Sequence, residues 1–371
     1  MRSKKFILLV ILFLLLLLQI PFAYRRFKLR RLSSAIQQLN LQRTPAPPNG
    51  FKEYKGVVHV HSFLGGHSAG TFSEIISAAQ ANQLQFVIMT EHTEKEFDTA
   101  AMTLKGTHGG VLFINGNEVS AENGDRLLAL PGAVSIVAYP QEFRDWDTAR
   151  ANGVGGVEVY NVFTNAKQAN PLVAFFDVLW SQRAYPDLIF ALYFKRPDEN
   201  LKKWDQALTR TRLTATGGND SHANIGVSLN DSSGKKLLGI QLDPYAVSFR
   251  LVRLHVLIEE NKPLDETSLV EAIRAGHCFI GFDFLGDSSG FEFGSSEAIQ
   301  GDEIKLDRPL TIRTPVPSRV VLYKDGSVIL DESGVTSREF SVAEPGVYRA
   351  EVYLPQLGNR LWIISNPIYV R

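Results

Sequence analysis

The 371-residue sequence is poor in several features that commonly direct function. Its single cysteine, Cys278, excludes an internal disulfide and any zinc cluster built from cysteines. The 39 basic residues balance the 39 acidic ones, so no net charge attracts nucleic acid, and an anionic substrate would have to be held by local groups. The sequence lacks a P-loop, a GxSxG motif and a dinucleotide-binding fingerprint. What remains is a globular chain, long enough for two domains, whose chemistry would rest on other side chains.

A long hydrophobic run stands near the amino terminus, from Phe6 to Ala23. About 18 apolar residues can span a bilayer as a helix, whereas a cleaved signal sequence usually has a shorter apolar region. Cleavage after Ala23 would also put Pro21 where a small residue is preferred. We therefore expect residues 1–23 to be an uncleaved membrane anchor rather than a signal peptide. Basic residues flank both ends of the run, and the short tail before it favours an extracytoplasmic body.

The rest of the chain divides by pattern into three further segments. Residues 24–50 are a basic helix followed by a proline-rich linker from Gln42 to Gly50. In residues 51–289 apolar strands alternate with helical stretches such as "SEIISAAQANQ" and "NPLVAFFDVLWSQ", which predicts an α/β parallel sheet or barrel. The predicted strands are "GVVHVH", "QFVIMTEH", "GVLFINGNEVS", "VSIVAYP", "GVEVYN", "LIFALYF" and "RLTATGGNDSH". Residues 290–371 contain short alternating strands and turns such as "KDGS", which predicts a small all-β sandwich.

Residues of metal-ligating types recur where these predicted strands end. His59 and His61 are two apart on one strand and would therefore share a face. Since strand ends hold the catalytic groups in such folds, the sequence predicts a metal site there. The candidate ligands are His59, His61, His67, His92, Glu118, Asp220 and His222. A single histidine after a strand is usually structural, so the prediction depends on the whole set, and His108, His255 and His277 are expected to be surface or packing residues.

The series "HVHS", "TEH", "GNEVS", "GVEVYN" and "GNDSHA" resembles the PHP (polymerase and histidinol phosphatase) family, closest to its CehA/McbA-type metallohydrolase branch. The resemblance covers about residues 56–283, and the ending "RLWIISNPIYV" also resembles that branch. It implies a distorted (β/α)7 TIM-like barrel with a multinuclear metal site that hydrolyses phosphate esters. By position, it implies one ion held by His59, His61, Glu118 and Asp220, and a second held by His67, His92 and His222. His67 stands where many relatives have aspartate.

Three other positions depart from the family pattern. Val57 replaces an aspartate, Arg126 replaces a histidine in "DRLLA", and Tyr139 replaces a histidine in "VAYP". Because an arginine side chain stays protonated, it cannot be a metal ligand. We therefore expect two divalent ions (zinc, manganese or iron) rather than three. Arg126 would instead bind phosphate oxygens beside the ions, or would be a plain surface residue paired with a neighbouring carboxylate.

The leading hypothesis is a membrane-anchored, metal-dependent phosphoesterase that hydrolyses a phosphate mono- or diester with a metal-activated water. Its substrate would be a phosphorylated small molecule or nucleotide-type compound, and no protein partner is indicated. Glu91 and Arg126 are the candidate catalytic residues, although Glu91 could equally orient a histidine ligand. Arg126, Lys195 and Arg196 are the candidate substrate-binding residues. The alternatives are a metallohydrolase of a carboxylic ester, carbamate or amide, and a non-catalytic metal-binding or interaction module.

Overall fold

The α-helices are confined to the first three quarters of the part of the chain that the structure describes. The computed structural model describes residues 2–121, 125–138, 153–224, 226–230, 236–241, 243–306 and 308–371. The helices are α1 (Arg2–Leu17), α2 (Ile20–Asn40), α3 (Phe72–Ala81), α4 (Thr99–Met102), α5 (Val162–Lys167), α6 (Pro171–Ser181), α7 (Asp198–Leu208), α8 (Tyr245–Ser248) and α9 (Glu266–Ala275).

The strands form one large mixed sheet and a separate hairpin. They are β1 (Phe51–Val60), β2 (Phe86–Met89), β3 (Glu91–His92), β4 (Gly106–His108), β5 (Val111–Ile114), β6 (Asn117–Ser120), β7 (Arg126–Leu130), β8 (Val134–Ala138), β9 (Val154–Asn161), β10 (Thr214–Ser221), β11 (Gly226–Asn230), β12 (Lys236–Gln241), β13 (Arg253–Glu259), β14 (Cys278–Gly281), β15 (Glu292–Gly294), β16 (Glu303–Ile304), β17 (Leu310–Lys324), β18 (Ser327–Phe340), β19 (Gly346–Leu354), β20 (Arg360–Ser365) and β21 (Ile368–Val370).

The strands from β1 to β10 that belong to the large sheet pair in a closed order. β1 pairs in parallel with β2, β2 with β5, and β3 with β6. β6, β7 and β8 then pair antiparallel, while β8 with β9, β9 with β10, and β10 with β1 pair in parallel. Since only Thr90 separates β2 from β3, and two residues separate β5 from β6, the hydrogen bonding makes a closed ring. The carboxyl ends of its parallel strands therefore face one region of space.

The end of β1 is irregular at His59. Its pairings with both β2 and β10 shift register between Val58 and Val60, and His59 has a φ of 68°, in the left-handed region. Val57 and Val60 consequently belong to the same hydrophobic cluster, although three residues apart, whereas Val58 belongs to the other. A bulge of this kind re-aims side chains. The position of His59 and His61 thus depends on the bulge as well as on strand alternation.

One predicted strand is wrong. The segment "LIFALYF" begins with a short 3-10 helix, Leu188–Leu192, rather than a strand. Its aromatic side chains pack in a cluster in which Phe194 lies 4.7 Å from Phe282 and Phe190 lies 5.3 Å from Phe284, measured between ring centroids. A short apolar run does not distinguish a buried strand from a buried helical segment, and here the ring of strands closes without it.

Two helices and an irregular segment make up the amino-terminal part of the chain. α1 and α2 are separated only by Leu18 and Gln19, and together they are long and apolar enough to cross a membrane by length and composition. α2 packs on the body through Leu29 and Leu39, both buried. Residues 43–50 form neither helix nor strand.

The carboxy-terminal strands continue the large sheet. β14 pairs antiparallel with β20, which pairs with β19, and β19 pairs with β17. Among the described residues after Glu292, the helical structure is the single 3-10 turn Pro355–Leu357. The same hydrogen-bonded sheet therefore connects the ring of strands to the end of the chain.

Candidate metal centre

Six of the seven predicted ligands meet at the carboxyl ends of four strands. His59 and His61 stand at the end of β1, His92 ends β3, and Glu118 lies in β6. Asp220 and His222 stand at the end of β10. Four of these side chains, at positions 59, 61, 118 and 220, have at most 3% of their surface exposed.

One carboxylate oxygen of Glu118 lies at the centre of the cluster. Its Oε2 is 3.4 Å from His59 Nε2 and 3.5 Å from His61 Nε2. It is also 3.4 Å from His92 Nδ1. On the other side, Asp220 Oδ1 is 3.5 Å from His59 Nε2 and 3.6 Å from His61 Nε2. Two buried carboxylates thus face the same pair of imidazole nitrogens.

Neighbouring groups orient two of the histidines. His59 Nδ1 lies 2.8 Å from Glu158 Oε1, which leaves Nε2 directed at the cluster. His222 Nδ1 lies 3.0 Å from the backbone carbonyl oxygen of Asp220, and its Nε2 lies 3.5 Å from His92 Nε2. A hydrogen bond at one ring nitrogen fixes the tautomer and presents the other nitrogen as a ligand.

The donor set fits divalent metal ions. Both ring nitrogens of His61 are buried and have no hydrogen-bond partner, a costly state for polar atoms unless another group satisfies them. Two ligand atoms about 2.1 Å from a tetrahedral zinc would be about 3.4 Å apart, close to the 3.4–3.6 Å separations in the cluster. Two groups of three ligands each have donor atoms within 4.8 Å of one another, one made of His59, His61 and Glu118 and the other of His61, His92 and His222. His61 is common to both.

The pKa values of the clustered residues shift in different directions. Burial disfavours a charged His59, but the Glu158 and Asp220 carboxylates nevertheless hold its pKa well above the usual range. Burial, and then the neighbouring His222 and His59, hold the pKa of His61 well below the usual range. Burial would raise the pKa of Glu118, yet its hydrogen bond and charge interaction with His59 lower it. Neutral imidazole and ionised carboxylate are the forms that bind metal.

Two further predicted residues lie at the edge of the cluster. The ring of His67 is edge-on to that of His92, with centroids 4.9 Å apart, but His67 belongs to neither group of three ligands. Arg126 is 41% exposed, and its Nε lies 3.9 Å from Glu118 Oε1. The arginine therefore lies beside the cluster, with room to meet a bound anion. Tyr139, discussed with Arg126 in the sequence, lies outside the described residues. Glu122, one of the neighbouring carboxylates that could pair with Arg126, lies outside them as well.

Three further predicted residues form hydrogen bonds or ion pairs within the protein, and Glu91 is the most buried of them. Both oxygens of buried Glu91 accept hydrogen bonds, one from the Ser62 backbone N–H at 2.9 Å and one from the Thr103 hydroxyl at 2.7 Å. Glu91 thus fastens the loop that follows His61.

The two basic residues predicted to bind substrate make other contacts. Arg196 forms a two-pronged ion pair with Glu351, at 2.6 and 2.9 Å, so its guanidinium connects to β19 among the carboxy-terminal strands. Lys195 Nζ lies 3.4 Å from the side-chain oxygen of Gln168, in an exposed position. The sequence around a basic residue does not show which carboxylate will pair with it.

The remaining histidines lie apart from the cluster. His108 contacts the carbonyl oxygen of Lys105, and His277 pairs with Asp302 at 2.9 Å. His255 is fully buried and, with Asp283 and Asp287, forms a third group with metal-ligating atoms. Arg253 and Lys55 already pair with those two aspartates, at 3.4 and 3.1 Å. Fixed cations thus fill the role of a metal in this third group.

The sequence reasoning missed Glu158 as a functional residue. It is a charged side chain between two valines of a buried strand, and that unusual position was the available signal. Asn161 donates to its second oxygen at 2.9 Å. Gly218 makes room for it, because a Cβ at that position would lie 1.5 Å from Glu158 Oε1. Tyr245, also missed, donates from its hydroxyl to the backbone oxygen of His61 at 2.6 Å.

Comparison with known proteins yields only distant similarity. No family model matches the chain, and no curated protein does. The chain is similar to a solved structure from Bacteroides vulgatus, a two-domain protein described as containing a predicted PHP-like metal-dependent phosphoesterase. The similarity covers 87% of this chain and 98% of that one, at 14% identity and a TM-score of 0.37. A superoxide reductase (neelaredoxin) from Ignicoccus hospitalis is similar over 22% of this chain and 78% of its own, at 13% identity and a TM-score of 0.16. The first description names the PHP family, as the sequence motifs do, and does not extend to the CehA/McbA branch. TM-scores this low assign no activity.

Proposed function

We propose that the chain is a metal-dependent phosphoesterase with a binuclear site, anchored in a membrane by its amino-terminal helix. The observation that carries the proposal is the convergence of four histidines and two carboxylates from four strands on one buried point. Such a set of nitrogen and oxygen donors suits zinc, manganese or iron(II). The closed ring of pairings supports a distorted seven-stranded barrel, and the strands after residue 290 support a sandwich. The boundaries 1–23, 24–50, 51–289 and 290–371 are part of this proposal.

The residues divide the work of hydrolysis. Divalent ions held by the cluster would supply positive charge and lower the pKa of a bound water. Glu118 and Asp220 would hold those ions, and Glu158 would keep His59 oriented toward them. Arg126 would bind a non-bridging phosphate oxygen and offset charge that develops there. Overall, water adds to phosphorus, the ester P–O bond breaks, and the leaving alcohol takes up a proton.

The position of α2 supports retention of the amino-terminal helix. The side chain of Gln19 accepts a hydrogen bond from Trp180 at 2.9 Å, and the ring of Phe22 lies 4.9 Å from that of Phe176. Both contacts involve residues upstream of Ala23, the last residue that a signal peptidase would remove. An anchor that packs against the body in this way has a structural role after insertion.

Metal analysis of the full-length chain in detergent tests the proposal. We expect about two ions per chain, as in two-metal phosphoesterases. A His59→Ala/His61→Ala variant should lose at least one of them and should lose hydrolysis of p-nitrophenyl phosphate and bis-p-nitrophenyl phosphate. A His108→Ala/His277→Ala variant, which removes the same number of histidines elsewhere, is the control and should keep both. Equal metal content in all three proteins would refute the site, and full occupancy without phosphate-ester turnover would refute the activity.

A further inference from the structure

A cavity of about 310 Å³ adjoins the metal-ligand cluster. Part of its lining is formed by Asn219, Asp220 and Ser221 of β10, and Asp220 belongs to the cluster. The remaining lining is mostly apolar and includes Val162, Ala174, Val178, Ile189, Phe190 and Leu251. A phosphate group alone would not need this volume, which falls at the lower end of the range for small-molecule sites. The cavity is therefore suited to an apolar part of a molecule whose polar end lies at Asp220.

Helix α6 connects this cavity to the membrane-proximal part of the chain. Ala174 and Val178 of α6 line the cavity. Phe176, Asp177 and Trp180 contact α2, and the Arg25 guanidinium pairs with Asp177 at 2.6 Å. Because a helix has 3.6 residues per turn, one face of α6 lines the cavity and a different face contacts α2.

The third face of α6 is apolar and exposed. Leu172, Phe175 and Leu179 have 67%, 47% and 59% of their surfaces exposed, and their spacing puts them on one stripe. Around the helix, this stripe lies between the face that contacts α2 and the face that lines the cavity. An exposed cluster of large apolar side chains usually marks an interaction surface.

A bilayer that holds the amino-terminal helix would also cover this stripe. α6 packs on residues 19–26, the point at which the apolar run ends at Ala23. Tyr24 and Phe27 are exposed in the next turns, with Lys28 and Arg31 stacked over their rings. Aromatic and basic side chains in this order are typical of the interface between hydrocarbon and lipid headgroups. If α1 spans a bilayer, the α6 stripe lies at the height of the bilayer surface.

We propose that the substrate is an amphiphilic phosphate ester drawn from the membrane, whose alkyl chain enters the α6 cavity while its phosphate meets the metal-ligand cluster. The proposal rests on the proposed function for the chemistry at phosphorus, but binding to the cavity is independent of turnover. A path from the bilayer over Phe175 and Leu179 to Val178 runs along apolar side chains.

Binding of alkyl phosphates tests the cavity. Calorimetry with octyl phosphate and butyl phosphate, on the full-length chain in detergent with manganese, should show at least tenfold tighter binding of the longer chain. Val178→Trp should reduce that preference to less than threefold by filling the cavity. Val328→Trp makes the same change at an exposed site on β18 and should keep the preference. Partition of the alkyl chain into detergent is the same for all three proteins and cancels in the comparison.

The outcomes separate this inference from the proposed function. A chain-length preference that is equal in the wild-type protein and both variants, or absent from the wild type, overturns the inference even if phosphate esters are hydrolysed. A preference that Val178→Trp abolishes supports it even if no ester is hydrolysed, in which case the proposed function fails alone. Ala174→Leu, a smaller intrusion into the cavity, replaces Val178→Trp if circular dichroism shows that the latter is unfolded.

Vesicles test the membrane source. A Leu172→Ser/Phe175→Ser/Leu179→Ser variant should lose at least fivefold more activity on phosphatidic acid in phosphatidylcholine vesicles than on dissolved octyl phosphate. Equal losses on the two substrates would overturn delivery from the bilayer.

Discussion

His61 shows most directly what the cluster requires. Its buried ring nitrogens have no hydrogen-bond partner, and its Nε2 faces Glu118 and Asp220 at 3.5 and 3.6 Å. Burying an unsatisfied polar group costs about 1–3 kcal/mol, so the metal-free protein is less stable than it could be. Metal binding and stability should therefore be coupled at this residue.

Saturating manganese or zinc should raise the free energy of unfolding by about 4 kcal/mol at a metal concentration one thousand times the dissociation constant. Thermal unfolding with metal and with a chelator measures the difference. In a His61→Ala variant the difference should fall by more than half, whereas a control outside the cluster, His108→Ala, should match the wild type. A chelator without effect on the wild-type melting temperature would contradict the coupling.

Glu158 should control metal affinity without being a ligand. Glu158→Gln removes the charge opposite His59 Nδ1, and such partners typically contribute 10–100-fold to metal affinity. Titration with manganese should show a loss in that range, compared with Glu303→Gln at an exposed carboxylate. Gly218→Ala should weaken binding in the same direction, because its Cβ would displace the Glu158 carboxylate.

The buried His255 predicts a pH dependence of stability that is independent of the metal centre. Burial opposes its protonation, but Asp283 and Glu53, which contact its two ring nitrogens, raise its pKa to about 9. The unfolded chain has a pKa near 6.5, so this stabilisation is fully present below about pH 6.5 and is lost as the pH rises through about 9. The shift corresponds to about 3 kcal/mol.

Denaturant unfolding at pH 6, 7.5 and 9.5, with chelator present, measures this loss. The decline between pH 6 and 9.5 should be absent from His255→Gln and retained in His108→Gln. A stability that stays constant over that range in the wild-type protein would show that His255 is neutral in the folded state.

At the scale of elements, a buried ion network joins α7 to β19. Arg349 is 1% exposed and pairs with Asp205 of α7 and with Glu351, at 2.7 and 2.6 Å. Arg196 pairs with the same Glu351, so two arginines and two acids are mutually dependent. Removing one member leaves buried charge without its partner, which costs about 3–5 kcal/mol.

Arg349→Met should therefore lower the free energy of unfolding by about 3–5 kcal/mol in denaturant titrations. The matched control is Arg338→Met, which breaks the exposed pair with Glu332 and should cost less than about 1 kcal/mol. Equal effects of the two substitutions would show that the network adds nothing beyond a surface ion pair.

The helices and strands that could be predicted are those determined by their own local sequence. The pattern of strands and helices predicted β1, β2, β9 and β10 and helices α3 and α6, because each has its own periodicity and boundary signals. The predicted strand at Leu188 was wrong, because aromatic packing against Phe282 and Phe284 determines the structure of that segment. The bulge at His59 was also invisible, because it depends on the register of two neighbouring strands.

Most of the geometry of the candidate metal centre could be predicted for a related reason. Ligands at strand ends converge in any parallel arrangement, so six of the seven candidates needed only correct strand ends. The contacts of Arg196 with Glu351 and of Glu91 with Thr103 could not be predicted, because they are determined by tertiary packing that no local pattern records. Glu158 was missed for the same reason, because its partner His59 is far away in the sequence.

At the scale of the molecule, α2 is part of the body rather than a tether. Leu29 and Leu39 are buried against it, and Arg25 pairs with Asp177. We expect a chain that begins at residue 24 to leave the membrane fraction and remain folded, since it keeps these contacts. A chain that begins at residue 51 should melt at a temperature at least 5 °C lower or aggregate, because it exposes the surface that α2 covers. Identical melting of the two chains would show that α2 contributes no stability.

The pairing of β14 with β20 limits how evolution or engineering could rearrange this protein. Three residue pairs, from Phe279 opposite Ser365 to Gly281 opposite Ile363, stitch the ring side of the sheet to the last strands of the chain. A graft or cut near residue 290 would bare two unpaired strand edges, which are templates for aggregation. The strands after residue 290 are therefore poorly suited to replacement as a separate module. Exchange with a related protein should succeed only when β14 and β20 come from the same protein.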